Sequence, residues 1–213
     1  HGCVLFALGE IQRQERNPAA IDTLKTAEEI LSADGGDMWL GAVATLASML
    51  HTQREYSKCQ TLVSEVLAEH GDTCSDFRSV QLRNLLMSAR GCLGDVAGTT
   101  SAFNDVVVAL GGLNDSWQEI SVRTNYAVIC VNIGSDLEAK RQALAALEVL
   151  EGNDSLYALM KRAQCWWVLA MVANVPMEVE IEAAIQTMRA HQLPLFEELL
   201  SLRLLWLYLM RDR

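Results

Sequence analysis

The sequence predicts an all-α fold: one array over residues 1–213, built of about five helical hairpins and a C-terminal helix. Three observations predict it. Hydrophobic residues make up 51% of the 213 positions while only 3 are Pro, which suits long helices around a sizeable core and excludes disorder. No run reads as a strand, since the β-branched Val106-Val107-Val108 follows Phe103 at helical spacing. One phrase then recurs along the chain: an apolar helical segment, a short polar break, a second apolar segment. Its clearest copy runs from Asn84 to Leu110. There Gly94 tolerates positive φ and Asp95 can cap free N–H groups, so one helix ends and the next begins.

Each element has its own signals. The first helix covers about Gly2 to Glu15, with Leu5, Leu8, Gly9 and Ile11 on or near the packed side. Asn17-Pro18 ends it, and Pro18 suits the first turn of a second helix reaching Leu31 through Ala20, Leu24 and Ala27. The loop Ala33 to Asp37 leads into a third helix, Trp39 to Thr52. Thr52 through Glu55 reads as a capping box for the fourth, which carries Tyr56, Cys59, Val63 and Val66. His70-Gly71-Asp72 ends that helix, and Ser75 or Asp76 caps the fifth. The sixth stops at Gly111-Gly112, and Ser116 to Glu119 forms a second capping box before the seventh. Gly134 breaks the seventh, and Ser135 to Glu138 caps the eighth. The ninth carries Trp166 and Leu169, the tenth begins near Met177 after Pro176, and the eleventh runs from Pro194 to about Arg211.

The second helices share a pattern. Ala20, Cys59, Thr99, Lys140 and Ala183 stand 39, 40, 41 and 43 residues apart. Four and seven residues beyond each stand Leu24/Ala27, Val63/Val66, Phe103/Val106, Leu144/Leu147 and Thr187/Ala190, which places three contacts on one helix face. Paired large and small residues recur in the first helices as Leu8-Gly9, Leu46-Ala47, Leu86-Met87 and Tyr126-Ala127. Arg54-Glu55-Tyr56, Gly94-Asp95-Val96 and Ser135-Asp136-Leu137 recur at the turns. On these residues the chain resembles a tetratricopeptide (TPR) array. The resemblance implies a right-handed α-α superhelix, with a period near 40 in place of the usual 34. Longer repeats of this kind also resemble the superhelical sensor domain of large ATP-dependent LuxR-type, maltose-activator-like bacterial regulators. The segment Ala184 to Leu200 is the stretch most like those arrays.

Charge and chemistry narrow the function. The net charge of −10 and pI near 4.8 argue against direct nucleic-acid binding, which needs clustered Lys and Arg. Six cysteines show no C-x-x-C and no zinc-finger spacing, so the expectation is free thiols in a reducing cytoplasm. The start at His1 without a signal peptide is read as a fragment of a longer protein. The glycines from Gly91 to Gly98 lack the Lys and the preceding strand of a phosphate-binding loop, and read as an inter-helix turn. His70 and Cys74 have metal-like spacing but no second pair. Asn114-Asp115-Ser116 and Asn153-Asp154-Ser155 match glycosylation sequons but fall where helix caps belong. Trp166-Trp167 reads as core packing. No nucleophile–base pair or metal set appears, so the sequence predicts no enzyme, cofactor or metal.

The resemblance implies that the first helix of each hairpin lines a groove. Carried onto this chain, Ser48, His51, Gln81, Asn84, Ser88, Ser121 and Thr124 point into it. The set is polar but nearly uncharged, and the Lys/Asn/Arg carboxylate clamp of chaperone-binding members is absent. Such a surface suits a protein or peptide held through backbone amides, in a signalling or transcription-regulating protein, or a sugar-like small-molecule effector. The last helix is apolar on more than one side but too short and charged for a membrane span. Leu195, Leu199, Leu202, Trp206 and Leu209 make one apolar stripe, and Phe196, Leu200, Leu204, Leu205, Leu207 and Tyr208 spread hydrophobicity further round. Leu200, Leu204, Leu207 and Tyr208 are read as a docking or self-association face.

Overall fold

The computed structural model describes residues 1–15, 17–33, 35–71, 75–113, 115–173 and 176–211, leaving aside the side chains at 195, 210 and 211. These residues form eleven α-helices and no strand: α1 (Gly2–Gln14), α2 (Ala20–Leu31), α3 (Asp37–Thr52), α4 (Tyr56–His70), α5 (Asp76–Cys92), α6 (Val96–Gly112), α7 (Ser116–Asn132), α8 (Asp136–Val149), α9 (Leu156–Ala173), α10 (Glu178–Ala190) and α11 (Pro194–Arg211). Val106 to Val108 lie within α6, as their spacing requires. The helices fall into two compact units, His1–Asn114 and Asp115–Arg213. In the first, successive helices pack on one another, and α3 also packs on α1 and α5. The second repeats the arrangement, with α9 packed on α7 and α11 as well as on α8 and α10.

The hairpin turns share one backbone device. Arg54, Gly94 and Gly134 take φ of 63°, 76° and 73°, and stand 40 residues apart. In each, the following N–H reaches back five residues: Glu55 to the Leu50 carbonyl, Asp95 to Arg90, Ser135 to Cys130. This is a Schellman closure, in which a left-handed residue lets the chain satisfy the last helical carbonyls. Asp95 caps α6 by accepting from the Gly98 N–H at 2.9 Å, and Ser75 accepts from Arg78 N–H.

Three capping expectations fail. Thr52 lies inside α3 and its hydroxyl donates to the Ser48 carbonyl at 2.9 Å, so it cannot cap α4. Asp115 caps α7, accepting from the Trp117 and Gln118 N–H groups, while Ser116 already belongs to the helix. Ser135 precedes α8 without a side-chain cap, because Glu138 turns instead to Arg141 and Gln142. Pro18 falls in the turn before α2.

Burial corrects the repeat phase at two of five positions. The triplets Ala20/Leu24/Ala27, Cys59/Val63/Val66 and Thr99/Phe103/Val106 are buried as expected. In α8, Lys140 and Leu144 are exposed, and the buried set is Ala139/Ala143/Ala146. In α10, Ala183 is exposed, and the set is Ile181/Ile185/Met188. Leucine drew the reading towards 144, but a closely packed helix seam takes small side chains, and the alanines beside it are the ones that fit. In α1, Leu8 and Ile11 are exposed, while Gly9 is buried against Leu24.

Candidate functional site

The first helices of the hairpins carry the candidate surface. In the first unit, Ser48 and His51 on α3 and Gln81, Asn84 and Ser88 on α5 are all half-buried on two helices that pack together. Gln81 accepts from the Arg78 Nη1 at 2.8 Å, and Arg78 is in turn paired with Asp37 at 3.3 Å. The Gln81 side-chain carbonyl is therefore held by an arginine whose salt bridge crosses from α5 to α3.

His51 closes the other end of that row. Its ring stands edge-on to Tyr56 at 5.1 Å, and its Nε2 lies 3.8 Å from the Cys92 Sγ. Burial lowers its pKa, against an opposing hydrogen bond to the Ser88 backbone, so the ring is neutral at pH 7. Burial likewise raises the Cys92 pKa, with the Tyr56 hydrogen bond opposing. Cys92 is thus a thiol, the wrong form for a nucleophile. The His51–Tyr56–Cys92 contact ties the end of α3 to the end of α5, a structural link that the sequence reading did not find.

In the second unit, Ser121 is half-buried and hydrogen-bonded to Tyr157, whose ring meets Trp117 edge-on at 5.1 Å. Thr124 is a correction. It is fully buried, and its hydroxyl donates to the Ile120 carbonyl at 2.6 Å and lies 3.9 Å from Cys165 Sγ. Its helical phase turns it to the core instead of the expected surface.

The last helix is inverted relative to expectation. Leu200, Leu204 and Leu207 are buried within the unit and cannot be a docking face. Leu202, Leu205, Trp206 and Leu209 are each more than half exposed instead. Tyr208 is exposed and donates to Glu182 Oε1 at 2.8 Å. Leu195's side chain lies outside the described residues. The 200/204/207 spacing packs against α9 and α10, and a helix with hydrophobes on both sides gives no internal clue to which stripe wins.

The remaining motifs resolve as turns and caps. The Gly91–Gly98 run is the α5–α6 turn, with Arg90 donating to the Gly98 carbonyl at 3.1 Å. Asn153 Oδ1 accepts from Ser155 N–H and Ser155 Oγ from Ala158 N–H, so the second sequon serves as a cap. Asn114 and Cys74 lie outside the described residues. His70 packs edge-on against Trp39 at 4.7 Å. Trp167 is buried and Trp166 half-buried. Among the described residues, no group of three or more His, Cys, Asp or Glu could hold a metal, and no helix is long and apolar enough to cross a membrane. Cys3, Cys59, Cys92, Cys130 and Cys165 are free. Sequence reasoning also missed the buried Lys161 on α9 and the half-buried Arg203 on α11, whose guanidinium lies 4.9 Å over the Trp167 ring.

Helical hairpins with this spacing, seam and turn define a TPR-like α-helical repeat. Solved structures agree. The chain is similar to a Podosopora anserina protein assigned as a kinesin light chain, built of nearly identical TPR-like repeats. A single-substitution variant of that protein aligns with a TM-score of 0.64 at 13% identity, over 89% of this chain and 95% of that one. A second structure aligns with a TM-score of 0.52 at 14% identity, over 100% and 99%. No protein-family profile and no curated protein matches the sequence.

Proposed function

We propose that this chain is an interaction module that holds a protein or peptide partner on the α3–α5 face, as one domain within a signalling or transcription-regulating protein of the reducing cytoplasm. TPR-like repeats are generally protein-interaction modules. The observation that carries the reading is the row of half-exposed neutral groups on the two packed helices: the Ser48 and Ser88 hydroxyls and the Gln81 and Asn84 amides. Such groups pair with peptide N–H and C=O without needing a charged partner.

The test is selection of peptides from a random displayed library, followed by calorimetry on the enriched sequences. Replacing Gln81 and Asn84 together with Ala removes up to two hydrogen bonds, and binding weakens about ten-fold or more. Enrichment no better than on an unrelated helical protein would refute the reading, as would unchanged affinity in the double variant with its far-UV circular dichroism intact.

The same hydroxyls and amides also suit a sugar-like effector, the sensor reading. A neutral sugar that raises the melting temperature of the parent but not of the double variant favours sensing. Self-association belongs to the other end of the chain, where Leu202, Leu205, Trp206 and Leu209 offer an exposed apolar face to a second copy.

A further inference from the structure

The first helix of each hairpin is packed by its own second helix: α1 by α2, α3 by α4, α5 by α6, α7 by α8 and α9 by α10. α11 stands in the first-helix place, for it packs on α9 and α10 as α9 packs on α7 and α8. Among the described residues no other helix packs on it. Its open side is apolar, with Leu202, Leu205, Trp206 and Leu209 each more than half exposed. Single exposed hydrophobes are ordinary, but a contiguous row marks a contact surface.

Beside that row, α11 and α10 enclose a groove of about 620 Å³. The two helices are antiparallel, since Tyr208 meets Glu182 near one end and Arg189 meets Glu197 near the other. One wall is Ser201, Leu204, Leu205 and Tyr208 of α11; the other is Val179, Glu182, Ala183 and Gln186 of α10. Each wall is an i, i+3, i+4, i+7 row, about 10 Å long. Val179 is 75% exposed on one wall and Leu205 55% on the other. Two such rows side by side form the kind of groove into which a third helix packs. The pattern of that helix is written in this chain's own second helices. The packed positions of α2, α4, α6, α8 and α10 all fall at i, i+4 and i+7. Charge narrows the partner further. Glu182 lies in the groove wall, and Glu178 and Glu180 stand beside it on the first turn of α10. The basic residue of α10, Arg189, is bound by Glu197. In a chain of net charge −10, such a groove favours Lys or Arg on the partner and works against a second copy.

From this we infer that the α10–α11 groove and the open side of α11 dock an amphipathic helix of a partner protein, with apolar residues at i, i+4 and i+7 and Lys or Arg on their flanks. That helix takes the place of a second helix for α11. Its apolar row covers Leu205 and Val179, and its basic flank faces Glu182. The site lies wholly within residues 115–213 and does not depend on the α3–α5 surface, so either reading can fail alone.

The probe is a synthetic peptide of residues 135–150, the α8 segment, carrying both Glu138→Lys and Glu148→Lys. This segment is rich in good helix formers, and its unchanged form is the charge control. Calorimetry reads binding to the whole chain at low salt, far-UV circular dichroism reads helix gained, and sedimentation reads oligomeric state. The lysine peptide binds and gains helicity, and the unchanged segment binds about three-fold more weakly or worse. Val179→Ser with Leu205→Ser weakens the lysine peptide about ten-fold or more. Both positions are exposed, so this variant keeps the parent's melting temperature. Val4→Ser, at an equally exposed site on α1, and the Gln81/Asn84 double variant leave binding unchanged. Equal affinity of the two peptides, no binding of either, or unchanged affinity in the Val179/Leu205 variant overturns the inference. A dimer in sedimentation that excludes the peptide also overturns it, and assigns the face to a second copy.

Discussion

Gly9 and Leu24 provide a test of the α1–α2 seam in which one substitution changes sign with its background. A Cβ placed on Gly9 would lie 2.7 Å from both Cγ and Cδ2 of Leu24. Leu24 is fully buried on α2, and the close atoms include its Cγ, which a change at the tip of the side chain cannot move aside. Gly9→Ala therefore meets two opposed effects. Alanine favours a helix interior over glycine by about 1 kcal/mol. Overpacking of a filled core costs about 1–3 kcal/mol. The clash wins, and Gly9→Ala lowers stability by about 1–2 kcal/mol. Leu24→Ala alone costs about 2–5 kcal/mol through lost burial and the space left behind. In that background the clash is gone and only helix propensity remains, so Gly9→Ala now stabilises, by up to about 1 kcal/mol. Urea denaturation followed by far-UV circular dichroism on the four proteins gives the coupling directly. Amide hydrogen exchange along α1 reads the same difference locally. A Gly9→Ala protein more stable than the parent would refute the close approach of the two helices.

Three further outcomes follow from the same physical argument. At the repeated turn, Gly94→Ala loses about 1 kcal/mol from its φ of 76° alone, since no atom lies within 4 Å of the added Cβ; Arg54→Gly, at φ 63°, gains several tenths of a kcal/mol, both read from urea midpoints. On α11, Leu207→Glu buries a charge and unfolds or severely destabilises the second unit, costing more than about 3 kcal/mol, while Leu205→Glu leaves melting unchanged and suppresses any concentration-dependent association in sedimentation. Lys161 titrates near 8 in the folded chain and near its ordinary value, about 10.4, when unfolded. The unfolded chain therefore holds the extra proton above pH 8, and stability from this group rises by about 1.4 kcal/mol per pH unit between those values and is lost as pH falls through 8. Cys59, Cys130 and Cys165, each raised to about 11, act oppositely once pH passes the ordinary thiol value near 9. The difference between the parent and Lys161→Met isolates the lysine. The variant is the more stable protein at pH 7, and its advantage shrinks as pH rises; a pH-independent difference would place the Lys161 ammonium in water.

The helices were legible in the sequence because a repeat states its pattern several times. One clear turn at Gly94-Asp95 taught the reading of weaker turns at Arg54 and Gly134, and their shared left-handed residue shows why a 40-residue step recurs. The phase of the buried face was less legible wherever two faces were apolar. Ala139/Ala143/Ala146 lost to Lys140/Leu144/Leu147 because a sequence rewards the larger hydrophobe, whereas a close helix seam rewards the smaller side chain. The same ambiguity inverted α11. Thr124 failed for a related reason: a hydroxyl that bonds its own helix at the Ile120 carbonyl is satisfied without water, so polarity did not imply exposure.

The buried Lys161 is the opposite case. A lysine four residues after Tyr157 and four before Cys165 breaks an apolar stripe, and that much stands in the sequence. Whether the break matters depends on what the facing helix brings. Had α11 offered Glu197 or Glu198 at the position of Arg203, Lys161 would be an ordinary interior ion pair. Glu197 is instead committed to Arg189 at 2.7 Å, and α11 presents a second cation. Burial is the main reason the Lys161 pKa falls, and Arg203, which cannot shed its proton at neutral pH, adds to it. Deprotonation of Lys161 lowers that cost. That proton governs how stability changes above pH 8, so a substitution at Lys161 must alter the pH profile while leaving the helices in place.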